Sequence, residues 1–339
     1  MIRWLNTEEG YDKIMAKKKL YEPLRFLKEE ELSLWDTLVK ASPQGSVYCY
    51  SWWLKAVGGD VRVLGYFDKG RLIAGMPLYF KKKFGFTICT MPKLTQTWGV
   101  VIEPLSGKRV KVASKEMSIL KNFADALAKY KVFLQNLSPN LQNWLPFYWC
   151  GFKQTTRFTY VLDDLTDLEE IWKGFRENIR KDIRKAQKQE VTVDQCRFED
   201  VFCVIEKTWQ WQRLKPPYTK EYLSRLFSAA KQNNSGECFA ARGGDQRVHA
   251  AVYLVWDSKR AYCLVGGSDH DLRNSGATSL LIWHLIQFAA QRSKVFDFEG
   301  SIIKPIERFF RAFGATQTPY NTIYKLPLYL EILQVVRGK

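Results

Sequence analysis

Apolar residues alternate or recur at helical spacing in two long stretches of the chain, and the order of predicted elements is similar in both. The first sixty residues read as largely helical. Glu29 to Val39 predicts a helix stopped by Ser42-Pro43-Gln44-Gly45. Tyr48-Cys49-Tyr50-Ser51-Trp52-Trp53-Leu54 predicts the start of another, with Ser51 as its N-cap. Strands follow at Val61 to Phe67 and Leu72 to Phe80, flanking the hairpin signal Asp68-Lys69-Gly70, and a third covers Phe84 to Cys89. Lys115 to Lys131 has amphipathic helical spacing. Val132 to Leu137 predicts a short strand ending at Pro139.

The plan returns in the second half. Glu237 to Arg242 predicts a strand, Gly243-Gly244-Asp245 a turn, and Val248 to Trp256 and Ala261 to Val265 two more strands around Asp257-Ser258. A long helix from Ser275 to Arg292 precedes a strand carrying Asp297 and Glu299. Leu72-Ile73-Ala74-Gly75 aligns with Arg247-Val248-His249-Ala250 in the same hairpin position, so the chain reads as two copies of one α/β unit. On that alignment His249 is a packed strand residue. Between the halves, Asp163-Asp164-Leu165-Thr166-Asp167 caps a helical region. In it Phe175, Ile179, Ile183 and Ala186 form an apolar stripe, with Arg176, Arg180, Lys181, Arg184 and Lys185 on the other faces. Two readings of this helix stay open: a solvated bridge, or a phosphate-contacting face beside a cleft.

Length and composition fit this picture. A chain of 339 residues with 46% hydrophobic and 14% aromatic residues supports two domains with large cores. The boundary is expected near 162, giving units 1–162 and 163–324, with 325–339 packing back on the first. Seven cysteines stand singly, without a CxxC pair, and the N-terminus Met1 to Asn6 has no signal-peptide apolar region. A cytoplasmic setting without structural metal is therefore expected. No apolar run approaches the roughly 20 residues of a membrane span, which leaves peripheral membrane contact open. The formal charge of +17 suits polyanionic partners or a lysine-rich surface, and does not choose between them.

The richest chemistry lies between Phe296 and Tyr320. Phe296-Asp297-Phe298-Glu299-Gly300-Ser301 puts two carboxylates on one face of a strand end, which is costly unless they pair or work. An aromatic-rich segment, Phe309-Phe310-Arg311-Ala312-Phe313-Gly314, and Pro319-Tyr320 follow. These residues resemble the FemAB-like branch of the GNAT acyltransferase superfamily. So do Asn178-Ile179-Arg180-Lys181-Asp182-Ile183-Arg184-Lys185-Ala186, Gln212-Arg213-Leu214-Lys215-Pro216-Pro217-Tyr218 and Met91-Pro92-Lys93-Leu94-Thr95-Gln96-Thr97-Trp98-Gly99.

The resemblance implies an α/β (α+β) fold of two tandem GNAT-like domains, each a mixed sheet flanked by helices, with an acceptor groove between them. It implies acyl transfer to an amine, from acyl-CoA or, in the peptidoglycan-bridge enzymes, from aminoacyl-tRNA. The expected acceptor is a small-molecule or nucleotide- or lipid-linked amine of the cell envelope or of polysaccharide synthesis. A non-catalytic module binding RNA or an anionic precursor is the alternative from another class. Glu299 is the expected general base, Arg311 a stabiliser of negative charge and Tyr320 a proton donor. Lys93, Thr95, Arg213 and Tyr218 are expected in the acceptor groove. Arg273, Ser275, Gly276 and Ala277 match the pyrophosphate loop of acyl-CoA users in part, Thr278 standing where Gly or Ala is usual. Phe310 stands where aminoacyl-tRNA-dependent members carry Lys, with Arg311 one place later.

Overall fold

The computed structural model describes residues 23–83, 85–300 and 303–327. The expectations for Met1 to Asn6 and for most of 325–339 fall outside them. A three-residue strand β1 (Leu24–Phe26) leads into helices α1 (Leu32–Ala41) and α2 (Ser51–Val57). A meander follows, β2 (Asp60–Asp68), β3 (Arg71–Lys83) and β4 (Phe86–Thr90). Then come β5 (Val101–Ile102), α3 (Arg109–Leu127), β6 (Val132–Asn136), α4 (Leu145–Trp149) and β7 (Lys153–Leu162). Helices α5 (Leu168–Gly174) and α6 (Glu177–Lys188), strand β8 (Thr192–Gln195), and helices α7 (Phe198–Trp211) and α8 (Lys220–Gln232) open the second half. The meander returns as β9 (Gly236–Arg242), β10 (Val248–Trp256) and β11 (Arg260–Ser268). It is followed by α9 (Ala277–Ala290), β12 (Val295–Asp297), α10 (Lys304–Arg311) and β13 (Thr316–Lys325).

Local chemistry explains several of these elements. Lys69 (φ 50°) and Gly70 (φ 80°) both take the left-handed conformation that a two-residue hairpin loop requires, and Asp68 pairs with Arg71 across it. Asp167 caps α5 by accepting from the amides of Glu169 and Glu170. Phe175, Ile179, Ile183 and Ala186 are all buried, as the stripe on α6 requires.

Two local expectations need correction. Leu24–Phe26 is a strand rather than helix, because pairing with Leu64 to Tyr66 satisfies its backbone at the sheet edge. Ser51 is inside α2 and Tyr50 holds the N-cap position. The Ser51 amide and hydroxyl instead donate to Asp36 of α1, at 2.7 and 2.6 Å.

Among the described residues the strands form a single mixed sheet in the order β1-β2-β3-β4-β6-β13-β7-β12-β11-β10-β9-β8, with β5 on β3. Each half supplies an antiparallel meander and one parallel pair, β4 with β6 and β11 with β12. The halves then exchange their last strands. β7 pairs with β12 of the second half, while β13 pairs with β6 of the first, and β7 and β13 lie antiparallel over nine residue pairs.

One hydrophobic core is common to both halves. Trp35, Tyr48, Trp53 and Trp98 pack in it with Val201, Leu223, Tyr253 and Tyr262. Separate cores fill the opposite sheet face in each half, one around α3 and one around α6 and α9. Lys259 adds a polar tie, its ammonium donating to the Val39 and Ser42 carbonyls at the end of α1, at 2.8 and 3.0 Å.

A sheet stitched in this way should unfold as one unit. Calorimetry is expected to give a single endotherm. Ile323→Ala, at a fully buried position of β13, should lower it by the equivalent of about 2–5 kcal/mol of stability. Two separable transitions, only one of them moved by this substitution, would contradict the arrangement.

Candidate active site at the exit of β12

The site is built around Asp297, the last residue of β12 and fully buried. Its Oδ2 accepts from Arg260 Nη1 of β11 at 2.8 Å. Its Oδ1 accepts from the Thr159 hydroxyl of β7 at 2.5 Å and from the Glu299 amide at 2.7 Å. Thr159 in turn accepts from the Gln96 side-chain amide at 3.2 Å. Asn136 of β6 holds the Gln96 carbonyl at 2.8 Å, and Thr322 of β13 donates to Asn136 Oδ1 at 2.8 Å. One polar network thus crosses five neighbouring strands from β11 to β6.

Glu299 does not continue the strand. Its φ of 59° and that of Gly300, 55°, turn the chain sharply after Asp297. Only glycine fits at 300, because a Cβ there would lie 2.3 Å from the Phe158 carbonyl oxygen and 2.6 Å from Thr159 Cα. The expectation that Asp297 and Glu299 project from one face of a strand is corrected accordingly: the Asp297–amide bond forms a turn that re-aims Glu299. Its carboxylate accepts from the hydroxyl of Tyr48, a fully buried residue of the first half. Tyr48 is held by the Trp98 indole, which donates to its carbonyl at 2.8 Å, and by Tyr262, ring centroids 4.7 Å apart. Burial drives the Glu299 carboxyl well above the usual carboxylate range; the Tyr48 hydrogen bond opposes this and the Asp297 charge adds to it.

The remaining predicted residues are dispersed. Tyr320 lies on the same side of the sheet as Thr159, paired in register with Arg157. Its hydroxyl is pushed up to about 12 by burial, with Arg157 pulling it down and Glu299 and Asp297 raising it. Arg311 is on the other side of the sheet. It donates to Glu307 at 2.7 Å, and Glu307 also accepts from Tyr160, the neighbour of Thr159 that alternation points to the opposite face. Thr95 is buried and accepts from the Trp53 indole at 3.1 Å. Lys93 is exposed, its carbonyl accepting from Tyr222 at 2.7 Å. Arg213 (φ 55°) is exposed in the loop after α7, and Tyr218 packs partly against the shared core.

The loop before α9 forms a second cluster. The Ser275 hydroxyl accepts from the Ala277 amide at 3.3 Å and lies 3.0 Å from His249 Nδ1. Arg273 Nη1 lies 2.9 Å from His270 Nε2, and His270 stacks on the exposed Trp211 with centroids 4.3 Å apart. Gly276 (φ 78°) is pressed against α6: a Cβ would lie 2.1 Å from the Asp182 carbonyl oxygen. That glycine is therefore explained by helix packing, while the exposed Arg273 and the Ser275-capped first turn of α9 are the groups suited to an anion. Beyond Tyr262 and Asp297 the parallel pairing of β11 and β12 ends while β11 runs on to Ser268, so the strands splay between this loop and Glu299. Among the described residues no three His, Cys, Asp or Glu side chains are grouped to hold a metal ion, and no helix is long and apolar enough to cross a membrane.

Sequence reasoning missed Tyr48, Arg260, Gln96 and Arg157. Tyr48 carries no signal of its own in an aromatic run. The run Thr155-Thr156-Arg157-Phe158-Thr159 did carry one, since its polarity is unusual for a strand in mid-sheet.

Comparison with known proteins bears on the fold. Residues 173–304 match the family model for the acetyltransferase (GNAT) domain. Among solved structures, FemX is similar at 14% identity and a TM-score of 0.68, over 88% of this chain and 96% of its own. A protein of unknown function from Bacteroides thetaiotaomicron is similar at 12% identity and 0.56, over 90% and 99%. L-PGS from Bacillus licheniformis is similar at 12% and 0.51, over 91% and 96%. No curated protein matches the chain. The class is thereby defined as GNAT-fold. More particularly, residues 173–304 match the GNAT domain model and the chain shares its fold with FemX along almost its whole length.

The two carboxylates should respond oppositely to neutralisation. Asp297→Asn leaves Arg260 buried without its counter-ion and is expected to cost about 3–5 kcal/mol; Arg260→Met in the same chain should recover most of it. The folded-state pKa of Glu299 is raised, so its ionisation costs stability as pH climbs from the unfolded value upward. Glu299→Gln is expected to match wild type in Tm near pH 4 and to exceed it at pH 8. Equal Tm values at both pH would remove the buried-charge account.

Proposed function

We propose that this protein is an N-acyltransferase that acylates an amine at the Glu299 site, with an acyl-CoA as donor. The observation that carries the reading is a carboxyl raised by burial, held by one phenol, at the open end of a splayed parallel strand pair. A raised pKa makes a carboxylate a stronger base near neutrality.

In the proposed reaction the acceptor nitrogen attacks the acyl carbonyl carbon. The new C–N bond forms as the bond to the leaving group breaks, Glu299 takes the proton lost by the amine, and the leaving group is protonated. Tyr48 keeps the Glu299 carboxylate aimed. Tyr320, with its hydroxyl raised only to about 12, is the candidate to return a proton. Backbone amides along the free edge of β11, from Cys263 to Gly267, are the candidates for stabilising the oxyanion. Acyl-CoA, when bound, supplies a thioester; Arg273, Ser275 and the Ala277 end of α9 would hold its phosphates. Arg311, paired with Glu307 on the far face, has no part in this reading. The acceptor class favoured by the resemblance is a cell-envelope or polysaccharide precursor.

Acyl-CoAs of several chain lengths are expected to raise the Tm of the purified protein. Glu299→Gln should lower kcat for any acylated amine by about 10²-fold or more while raising Tm at pH 8. Absence of any acyl-CoA shift, together with salt-sensitive tRNA binding, would favour the aminoacyl-tRNA or non-catalytic readings instead. Full turnover by Glu299→Gln would remove the base assignment.

A further inference from the structure

Strands in the middle of a large sheet are usually covered on both faces and carry apolar runs. β7 and β13 are the exception here. Thr159, Arg157 and Thr155 of β7 stand opposite Thr318, Tyr320 and Thr322 of β13, and all six share the face that carries Asp297. Thr155 and Arg157 are exposed and Thr318 is partly so, although five or more strands flank them on either side. The helices that build the shared core leave this patch open. It forms a polar floor of hydroxyls with one cation.

That cation is uncommitted. Among the described residues neither a carboxylate nor a carbonyl pairs with Arg157, whereas Arg260, Arg311 and Arg180 all donate to acids. Arg157 also stands close to the chemistry. Two residues of strand, about 7 Å, separate its Cα from that of Thr159, against which Gly300 is packed and which donates to Asp297. Its charge reaches the Tyr320 hydroxyl, which Glu299 and Asp297 act on with opposite sign. The floor is thus dipolar, acid at the Glu299 end and base at the Arg157 end.

We propose that Arg157 is the anion-binding residue of the acceptor site, so that the acceptor is an amine bearing a carboxylate or phosphate a few bonds from its nitrogen. This rests on the acyl-transfer reading above. The amine is drawn to the Glu299 end and the anion to the Arg157 end, which fixes the acceptor's orientation as well as its charge. The planar guanidinium matches both carboxylate and phosphate with paired hydrogen bonds, and lysine would replace it only in part. A neutral amine lacks the second anchor and binds more weakly.

The test uses the full chain and two acceptor pairs: phosphoethanolamine against ethanolamine, and β-alanine against β-alaninamide. With acetyl-CoA as donor, the anionic member of at least one pair is expected to have a KM at least tenfold lower. The pair that responds distinguishes phosphate from carboxylate. Arg157→Gln should raise that KM to the level of the neutral member, and Arg157→Lys should restore part of the difference. Equal KM within both pairs, or a preference that survives Arg157→Gln, overturns the proposal and leaves the transferase reading intact. If no amine is acylated, the transferase reading fails for this donor, and calorimetric titration of the same four compounds decides the anion site. Preferential binding of an anionic member, lost in Arg157→Gln, supports it; no such preference overturns it.

Discussion

The Asp297–Arg260 pair is the constraint on which the rest of the site depends. A fully buried carboxylate is tolerated only if its lone pairs are met, and here a guanidinium, a hydroxyl and an amide meet them. Each partner comes from a different piece of chain: Arg260 from β11, Thr159 from β7, and the Glu299 amide from the turn itself. The requirement to satisfy Asp297 therefore sets the spacing of three elements at once. It also holds Glu299 in a left-handed conformation that a non-glycine residue adopts at a cost. The strain is held locally by the Asp297–amide bond and by Gly300 packed on β7.

This node works because the two halves of the chain are not independent. β7 belongs to the first half in sequence, yet it supplies Thr159 to the acid of the second. Tyr48, from the first half, supplies the hydroxyl that meets Glu299. The exchanged strands and the core shared between Trp35 and Tyr262 hold these contributions in one rigid frame. A site assembled from both halves of the chain needs such a frame if its groups are to keep their mutual geometry, and in the proposed reaction a displacement of about 1 Å would be expensive in rate. Lys259 contributes in the same sense, tying the end of β10–β11 to the last turn of α1.

Much of the local structure was legible in the chain, and most of the site was not. The Asp68-Lys69-Gly70 hairpin, the β10 span Val248 to Trp256 and the buried stripe on α6 follow from spacing and turn chemistry, which act over a few residues. The repeat was legible as well, since both halves run meander, helix, parallel strand. Strand exchange was not, because pairing β13 with β6 rather than with its own half changes no local pattern. Glu299 was singled out for a reason that proved incomplete: alternation presumes the strand continues, and it stops at Asp297. Tyr48 and Arg260 reach the site only through tertiary contacts. Thr155 to Thr159 is different. Its polarity was visible throughout, and only the knowledge that β7 is central turns that polarity into a signal.

The polar centre of the sheet and the partly buried acid beside it are two sides of one physical arrangement. Replacing Thr155, Arg157 and Thr318 by apolar residues would suit the middle of a thirteen-strand sheet, and filling the space above them with helix would bury more surface. The fold does neither, and it also keeps Glu299 as an acid whose ionised form burial disfavours. Structural economy alone selects against each feature separately. Departures of local chemistry from what the fold prefers concentrate at working sites, and under the proposed reaction the open floor and the strengthened base would be used together. The coincidence of both departures on the strand that Gly300 packs against is therefore a stronger argument for a reaction centre than either carboxylate provides.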